Sequence, residues 1–258
     1  MFSFFRKKEA FANEAKEDLA QDYNDVRAVA VYFKDETGVT FDKQESILKN
    51  KVTTFCKHRK IGSFIKLLEK IKYNSELKQE LIDALTTNET FFYREFKQIE
   101  ELVKLVKIAH KKVDILCAPS ATGEEPYGIA IALLEAGVAQ SSFCITAIDI
   151  NSDAINRAKE AIYKERNVRN LSAQIIERYF TKKENLYVLK DSVKSLVAFR
   201  TLNLFDPSFA AIGKFDFIFS RNMLIYFDKE TKLKAKNILE SLRKDPNQEI
   251  FFGHADLF

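Results

Sequence analysis

Several residue types are scarce in this sequence, including the Cys and His residues that commonly form cross-links or take part in catalysis. Its 258 residues include no Trp, four Pro, seven Gly, three Cys and three His. The cysteines are widely spaced, lack a CxxC pair and stand among apolar residues, so we expect buried thiols and not a disulfide or zinc framework. They are Cys56, Cys117 and Cys144. The histidines are also scattered and unpaired, which argues against His-based nucleophilic catalysis. They are His58, His110 and His254.

Long apolar runs and a strong excess of one charge are lacking too. No stretch reaches the roughly eighteen apolar residues of a membrane-spanning helix, and the nearest, 127–139, contains Glu135. The opening Met1–Lys8 has no apolar core of signal-peptide length. The net charge of +4 is too small to imply wholesale nucleic-acid binding. We therefore expect a cytoplasmic protein without membrane insertion.

The residues that are present predict two kinds of structure. The apolar content of 46% can supply a substantial core. After an N-terminal extension at 1–20, residues 21–85 show apolar positions at helical spacing, with breaks at Gly38, 61–63 and 74–75. This predicts an all-helical N-terminal domain. Residues 86–111 follow as a linker segment and a helix.

From residue 112 to 258, short apolar runs alternate with amphipathic stretches. This alternation predicts an α/β, Rossmann-like doubly wound sheet. The predicted strands are 113–118, 143–150, 215–220 and 249–253; the predicted helices are 126–136, 153–163 and 229–243. Between them, 186–189 and 196–199 are rich in β-forming residues, and we predict an inserted β-hairpin subdomain at about 185–204.

The loop after the first predicted strand, 119–126, contains one glycine and two glutamates. A GxGxxG fingerprint is absent, so the loop does not predict pyrophosphate binding. A carboxylate here suits a cationic ligand such as S-adenosylmethionine, and Glu125 is the leading candidate for that contact. Alternatively, Glu124 and Glu125 simply favour the first turn of the next helix through its dipole.

Polar residues also follow the other predicted strands. Asp149 ends the second strand, where such folds place an acid that binds ribose hydroxyls; the helix-cap alternative is better met by Asn151 or Ser152. Asn203 and Asn222 follow later apolar runs, so both belong to the carboxyl rim of the sheet. An isolated asparagine is otherwise more often a turn former.

The helical region from about Tyr23, followed by four motifs in the family's order, resembles the chemotaxis receptor methyltransferases, the CheR family. The motifs are Thr87–Glu95 (TNETFFYRE), Thr122–Tyr127 (TGEEPY), Asp149–Asn151 (DIN) and Arg221–Phe227 (RNMLIYF). The resemblance implies methyl transfer from S-adenosylmethionine to glutamate side chains of chemoreceptors, without a metal. Departures include Ala121, Tyr93, Gly128 and the closing Gly253-His254-Ala255-Asp256, where the family usually has Gly-His-Ser-Glu.

The resemblance also implies roles for particular residues. Arg94 and Tyr226 would lie nearest the transferred methyl and act in catalysis; alternatively, Arg94 pairs with Glu89 or Glu95, and Tyr226 is a core aromatic. The residues implied to surround the cofactor are Asn88, Thr90, Arg94, Glu125, Asp149, Asn203, Leu204, Arg221 and Asn222.

The partner implied by the resemblance is the helical bundle of a chemoreceptor. A basic stretch without acidic residues is the candidate docking face, although such a run is equally an ordinary solvated surface. It comprises Lys49, Lys51, Lys57, Arg59, Lys60 and Lys66. The short approach to the hairpin, 181–185, lacks the glycines that accompany binding of a receptor's C-terminal peptide, so we expect no dependence on that peptide.

Two other readings of the sequence stay open. One is a methyltransferase of the same fold with a small-molecule or nucleic-acid acceptor, which the small net charge and the lack of an Asn-Pro-Pro-Tyr segment disfavour. The other is a cofactor-binding receptor adaptor without catalysis, which the presence of Arg94 and Tyr226 disfavours.

Overall fold

The structure, a computed structural model, describes residues 22–42 and 44–256. The predicted extension at 1–20 therefore lies outside the described residues. The chain divides into two compact units, the first ending at Leu85 and the second beginning at Thr86. Among the described helices, none combines the length and apolar character that crossing a bilayer requires.

The first unit is helical. Its helices are α1 (Arg27–Thr37), α2 (Glu45–His58), α3 (Phe64–Ile71) and α4 (Ser75–Leu85). The predicted breaks are confirmed: Gly38 ends α1 in a left-handed conformation, Ser63 caps α3 by accepting from the Lys66 amide, and Asn74 accepts from the Leu77 amide. One face of each helix supplies the core of this unit, as the apolar spacing predicts.

The second unit contains the sheets. Its helices are α5 (Phe96–Ile108), α6 (Glu124–Glu135), α7 (Ser152–Glu160), α8 (Glu165–Val168), α9 (Ala173–Tyr179), α10 (Asp191–Lys194) and α11 (Lys229–Ser241). Its strands are β1 (Val113–Cys117), β2 (Phe143–Asp149), β3 (Ile162–Lys164), β4 (Phe180–Lys183), β5 (Leu186–Leu189), β6 (Val197–Thr201), β7 (Phe217–Ser220) and β8 (Phe251–Phe252). Short 3-10 turns include Leu224–Tyr226 and His254–Asp256.

The main sheet is parallel, with strand order β6-β2-β1-β7-β8. The chain builds outward from β1 through β2 to β6, then returns to β7 and β8 on the other side. The strand order therefore reverses between β1 and β7, where open α/β sheets bind ligands beyond the carboxyl ends of their strands. This confirms the predicted α/β class with a doubly wound parallel sheet.

The inserted β-subdomain is present, but its predicted pairing is wrong. Val197–Thr201 runs parallel to β2 as the edge of the main sheet, with Ile145 opposite Val197. Leu186–Leu189 is instead the middle strand of an antiparallel sheet of order β3-β5-β4. Both runs are β-rich, so propensity alone did not distinguish a hairpin from two separate sheets; strand pairing depends on tertiary contacts.

Helix α6 begins near the carboxyl ends of the parallel strands and is buried in the core. Every residue from Glu124 to Leu133 is buried, so the first turn of this helix lies inside the protein. Two of the three thiols are buried as expected, whereas Cys144 is only partly so. Burial raises the pKa of Cys56 to about 11, so that thiol stays protonated at neutral pH.

Candidate active site

The loop after β1 is fastened to both neighbouring strands. The Ala118 amide donates to the Phe219 carbonyl at 2.9 Å, and the Ser120 amide donates to the Ile148 carbonyl at 2.8 Å. The loop ends at Gly123, whose φ of +91° favours glycine. A Cβ there would approach the Ala158 Cβ to 3.0 Å and the Tyr127 ring to 3.1 Å. The single glycine of this loop thus permits its close approach to α7.

Asp149 lies at the end of β2 and is buried. Its Oδ2 accepts from the Ala121 amide at 2.7 Å, and its Oδ1 accepts from the Asn151 amide at 2.9 Å. Asn151 caps α7, accepting from the Ala154 amide at 2.7 Å. The cap role therefore belongs to Asn151, as the sequence favoured. Asp149 is a fixed acceptor between the loops after β1 and β2.

The adjacent glutamates have different surroundings. Glu124 accepts from the Thr122 hydroxyl at 2.6 Å and from Asn167 Nδ2 at 2.8 Å. Both of its oxygens are thus engaged by the protein. Burial raises the pKa of Glu124, and these hydrogen bonds oppose that rise.

Glu125 forms a buried ion pair with Arg221 through Oε2 and Arg221 Nε. Burial raises its pKa, while the guanidinium of Arg221 opposes the rise. Its Oε1 is buried and has no hydrogen-bond partner within 22–42 and 44–256. One oxygen therefore holds the protein together, and the other retains its capacity to accept a hydrogen bond.

Arg221 joins the rim to the segment before α5. Besides Glu125, it donates through Nη1 to the Arg94 carbonyl at 2.8 Å. Its side chain is only 4% exposed. Arg221 therefore fixes the main chain at Arg94, a role that the sequence motif did not reveal.

Arg94 and Tyr226 interact electrostatically on this rim. Burial raises the pKa of Tyr226, and the charge of Arg94 acts in the opposite direction. Tyr226 is 38% exposed, so the alternative of a core aromatic is wrong. Arg94 donates to the Glu89 carbonyl at 3.3 Å, and among the described side chains it forms no ion pair with Glu89 or Glu95.

Asp256 belongs to the closing segment that departs from the family motif, and no role for it was predicted from the sequence. It is fully buried. Its Oδ1 accepts from the Leu224 amide at 2.8 Å, and its Oδ2 accepts from the Gly253 amide at 3.1 Å and from the Asn222 amide. Burial raises its pKa, and these main-chain donors oppose the rise. Asp256 thus holds the loop that bears Tyr226; its position just after the last strand was the available signal.

The remaining predicted site residues differ in what they contact. Asn203 Oδ1 accepts from the Phe205 amide at 2.9 Å, which is the turn-forming geometry weighed for it. Leu204 is buried, and Asn222 takes φ +58°. Asn88 and Thr90 line a cleft beside Thr122 and Glu124.

One of the three histidines contacts an acid. We expected unpaired histidines, but His254 has a partner: its Nδ1 lies 3.0 Å from Glu95 Oε2. Within the part of the chain that the structure describes, no group of three or more His, Cys, Asp or Glu side chains could hold a metal ion.

Comparison with known proteins identifies the family. Residues 88–258 match the family described as CheR methyltransferase, SAM binding domain. The chain belongs to the CheR methyltransferase family. This confirms the resemblance carried by the helical region and the four motifs.

Three CheR relatives, each named chemotaxis protein methyltransferase, illustrate the similarity. The protein of Campylobacter jejuni (strain 81-176) is 36% identical over 86% of this chain and 84% of its own length. Those of Salmonella typhimurium and Escherichia coli are 35% and 33% identical, each over 76% of this chain and over 69% and 70% of their lengths. A solved SAM-dependent methyltransferase of Agrobacterium tumefaciens aligns with TM-score 0.36 and 14% identity, covering 61% of this chain and 43% of that one.

Proposed function

We propose that this CheR-family chain transfers the methyl group of S-adenosylmethionine to glutamate carboxylates of chemoreceptors. The carboxylate oxygen forms the ester bond as the methyl–sulfur bond breaks, and S-adenosylhomocysteine is released. The observation that carries the proposal is the rim itself, where Arg221 pairs with the buried Glu125 and also holds the main chain of Arg94. The names of the relatives and the SAM-binding family match support the same reaction.

The rim residues fit S-adenosylmethionine, which carries a sulfonium, an ammonium and one carboxylate. Glu125 Oε1 is buried without a hydrogen-bond partner among the described residues, and the cofactor's ammonium would satisfy it. Asp149 ends β2 where a carboxylate binds ribose hydroxyls. When bound, the cofactor supplies an electrophilic methyl group. Asn88, Thr90, Asn203, Leu204, Arg221 and Asn222 complete the proposed surroundings.

The chain's own task is then to position the acceptor. A glutamate carboxylate has a pKa of about 4.3, so it is ionised at neutral pH and needs no general base. In our proposal Arg94 orients this carboxylate in line with the methyl group. Tyr226 donates a hydrogen bond, because burial raises its pKa and its hydroxyl keeps its proton. Alignment of this kind can supply roughly 7–11 kcal/mol.

The proposed partner is a chemoreceptor helical bundle that docks on the basic stretch of the first unit. Two of its six cations already serve the fold: Lys51 Nζ donates to the Leu85 carbonyl at 3.2 Å, and Arg59 pairs with Glu80. Lys57 and Lys60 are exposed. We therefore assign docking chiefly to this exposed pair, with a smaller contribution from the partly buried Lys49 and Lys66.

The test is transfer of labelled methyl to a soluble receptor fragment, followed by mild base. Label that is released as volatile methanol would support a glutamyl ester. Base-stable label would indicate another acceptor atom, and no transfer by a preparation that binds S-adenosylmethionine would favour a non-catalytic adaptor.

A further inference from the structure

A cleft of about 730 Å³ adjoins the candidate active site within the second unit. One wall is the segment Thr87–Phe91, which includes the proposed cofactor residues Asn88 and Thr90. The facing wall comes from α7, β3 and α8. The cleft therefore leads from the methyl-transfer rim to the small antiparallel sheet.

The charge of this cleft is uneven. Its exposed cations are Arg157, Lys164, Arg166 and Arg169, and its exposed acids are Glu89 and Glu160. In the described part of the chain none of these four cations forms an ion pair. Glu124, the third acid of the lining, is buried and engaged by Thr122 and Asn167. Arg166 also interacts electrostatically with Glu124. The exposed lining has four cations against two acids, and with Glu124 the excess is one cation.

Two apolar side chains accompany these charges. Ile162 is 48% exposed and Leu186 is 38% exposed, on the neighbouring strands β3 and β5. Exposed aliphatic side chains beside cations that form no ion pair suit a polypeptide that carries both carboxylates and apolar residues. An inorganic anion would use only the cations.

A main-chain hydrogen bond joins the cationic wall of the cleft to the segment that bears Arg94. The Phe92 amide donates to the Asn167 carbonyl at 2.9 Å. The guanidinium carbons of Arg169 and Arg94 lie 3.9 Å and 5.9 Å from the centre of the Phe91 ring. Both guanidinium groups thus lie over one aromatic ring, that of Phe91.

We propose that this cleft binds the acidic stretch of acceptor polypeptide that flanks the methylated glutamate, with Arg166 and Arg169 as its specificity-determining residues. This inference rests on the proposed function. It places acceptor recognition at the β3 edge of the small sheet and at α8, and not at the opposite edge strand β4. Arg94 then aligns the reacting carboxylate while the cleft holds its neighbours.

The test compares Arg166→Gln/Arg169→Gln with Lys104→Gln, which removes an exposed cation on α5. Methyl transfer and direct binding of a receptor fragment are measured separately. We expect KM and Kd for the fragment to rise about tenfold in the double variant, with kcat and the Kd for S-adenosylmethionine unchanged. Salt should weaken fragment binding less in the double variant than in the wild type. The Lys104→Gln variant should match the wild type.

The outcomes separate the inference from the proposed reaction. Normal transfer with no greater KM in the double variant than in the control would overturn the cleft assignment alone. Weaker fragment binding by the double variant, with no methyl ester formed by the wild type, would overturn the reaction and retain the cleft. Displacement of the fragment by an oligonucleotide, and not by an acidic peptide, would overturn the assigned partner class.

Discussion

The amino and carboxyl ends of the parallel strands form two rims of the main sheet, and the buried acids at these rims have different partners. At the amino rim, Asp216 contacts Lys111 and Lys244 at 2.7 Å each, accepts from the Asp114 amide at 2.8 Å, and shares Lys244 with Asp114. At the carboxyl rim, Glu125 has one cation, and Asp149 and Asp256 are held by main-chain amides.

Unsatisfied polar atoms occur at one rim. The buried side-chain atoms without a hydrogen-bond partner, among the residues described, are Ser120 Oγ, Glu125 Oε1 and Ser220 Oγ, all near the carboxyl ends of β1 and β7. An unpaired buried polar atom costs stability, and its persistence marks a site that a ligand can complete. The amino rim stabilises the sheet, whereas the carboxyl rim retains binding capacity at the expense of stability.

The largest expected effect comes from Glu125→Gln. Removing this charge leaves the Arg221 guanidinium buried without a counter-ion, which costs about 3–5 kcal/mol. Asp114→Asn at the amino rim is the control; it removes a half-exposed pair and should cost less than about 1 kcal/mol. Urea unfolding measures both. Equal losses would mean that the two rims do not differ as described.

Arg94→Ala should affect chemistry and not stability. The side chain is not part of an ion pair within the described residues, so unfolding should be unchanged. If it orients the acceptor, turnover should fall about 100-fold, or about 2.7 kcal/mol. Lys97→Ala, an exposed cation on α5, is the control. Wild-type turnover in the Arg94 variant would remove Arg94 from the mechanism.

Asp216→Asn tests the amino rim. Burial acts to raise the pKa of Asp216, but hydrogen bonds from Lys111 and Lys244 outweigh it and lower the pKa to about 2. Because the folded pKa lies below the unfolded value, the contribution is present above about pH 4 and is lost as pH falls toward 2. We expect about 2 kcal/mol less stability at neutral pH, and unchanged turnover at permissive temperature.

The measurement is the urea midpoint between pH 2 and pH 7. The variant should lose the part of the acid slope that Asp216 contributes, so the two curves should converge at the lowest pH. Asp245→Asn, which retains an acceptor for the Asn247 amide, serves as control. A constant difference between the curves at all pH values would contradict the assigned ion-pair origin.

The sequence predicted the elements better than their partners. Helical spacing located α1 to α4, and apolar runs located β1, β2 and β7, because period and burial are local properties. The pairing of β6 with β2 and of β5 with β3 and β4 was missed, since it depends on contacts between distant residues.

The same limit applies to the site. The strand-end position singled out Asp149, the loop carboxylates singled out Glu125 and the family motif singled out Arg94; their roles in the site stay predictions. Glu125 and Arg221 are 96 positions apart in the sequence, and Asp256 and Leu224 are 32 positions apart. Asn167 donates to Glu124, which is 43 positions away, and to the Thr90 carbonyl, which is 77 positions away. No spacing rule connects such residues; only the fold brings them together.

The smallest expected effect is the difference between two glycine variants, which distinguishes backbone strain from close packing at Gly123. Gly123 and Gly137 both have positive φ, but only Gly123 has atoms within 4 Å of an added Cβ. Gly137→Ala should therefore cost about 1–2 kcal/mol from backbone strain alone. Gly123→Ala should cost about 1 kcal/mol more, because the loop must move from Ala158 and Tyr127. That movement also displaces the Ala121 amide from Asp149, so calorimetry should show weaker S-adenosylmethionine binding for Gly123→Ala only. Equal affinities in the two variants would separate the loop from the cofactor site.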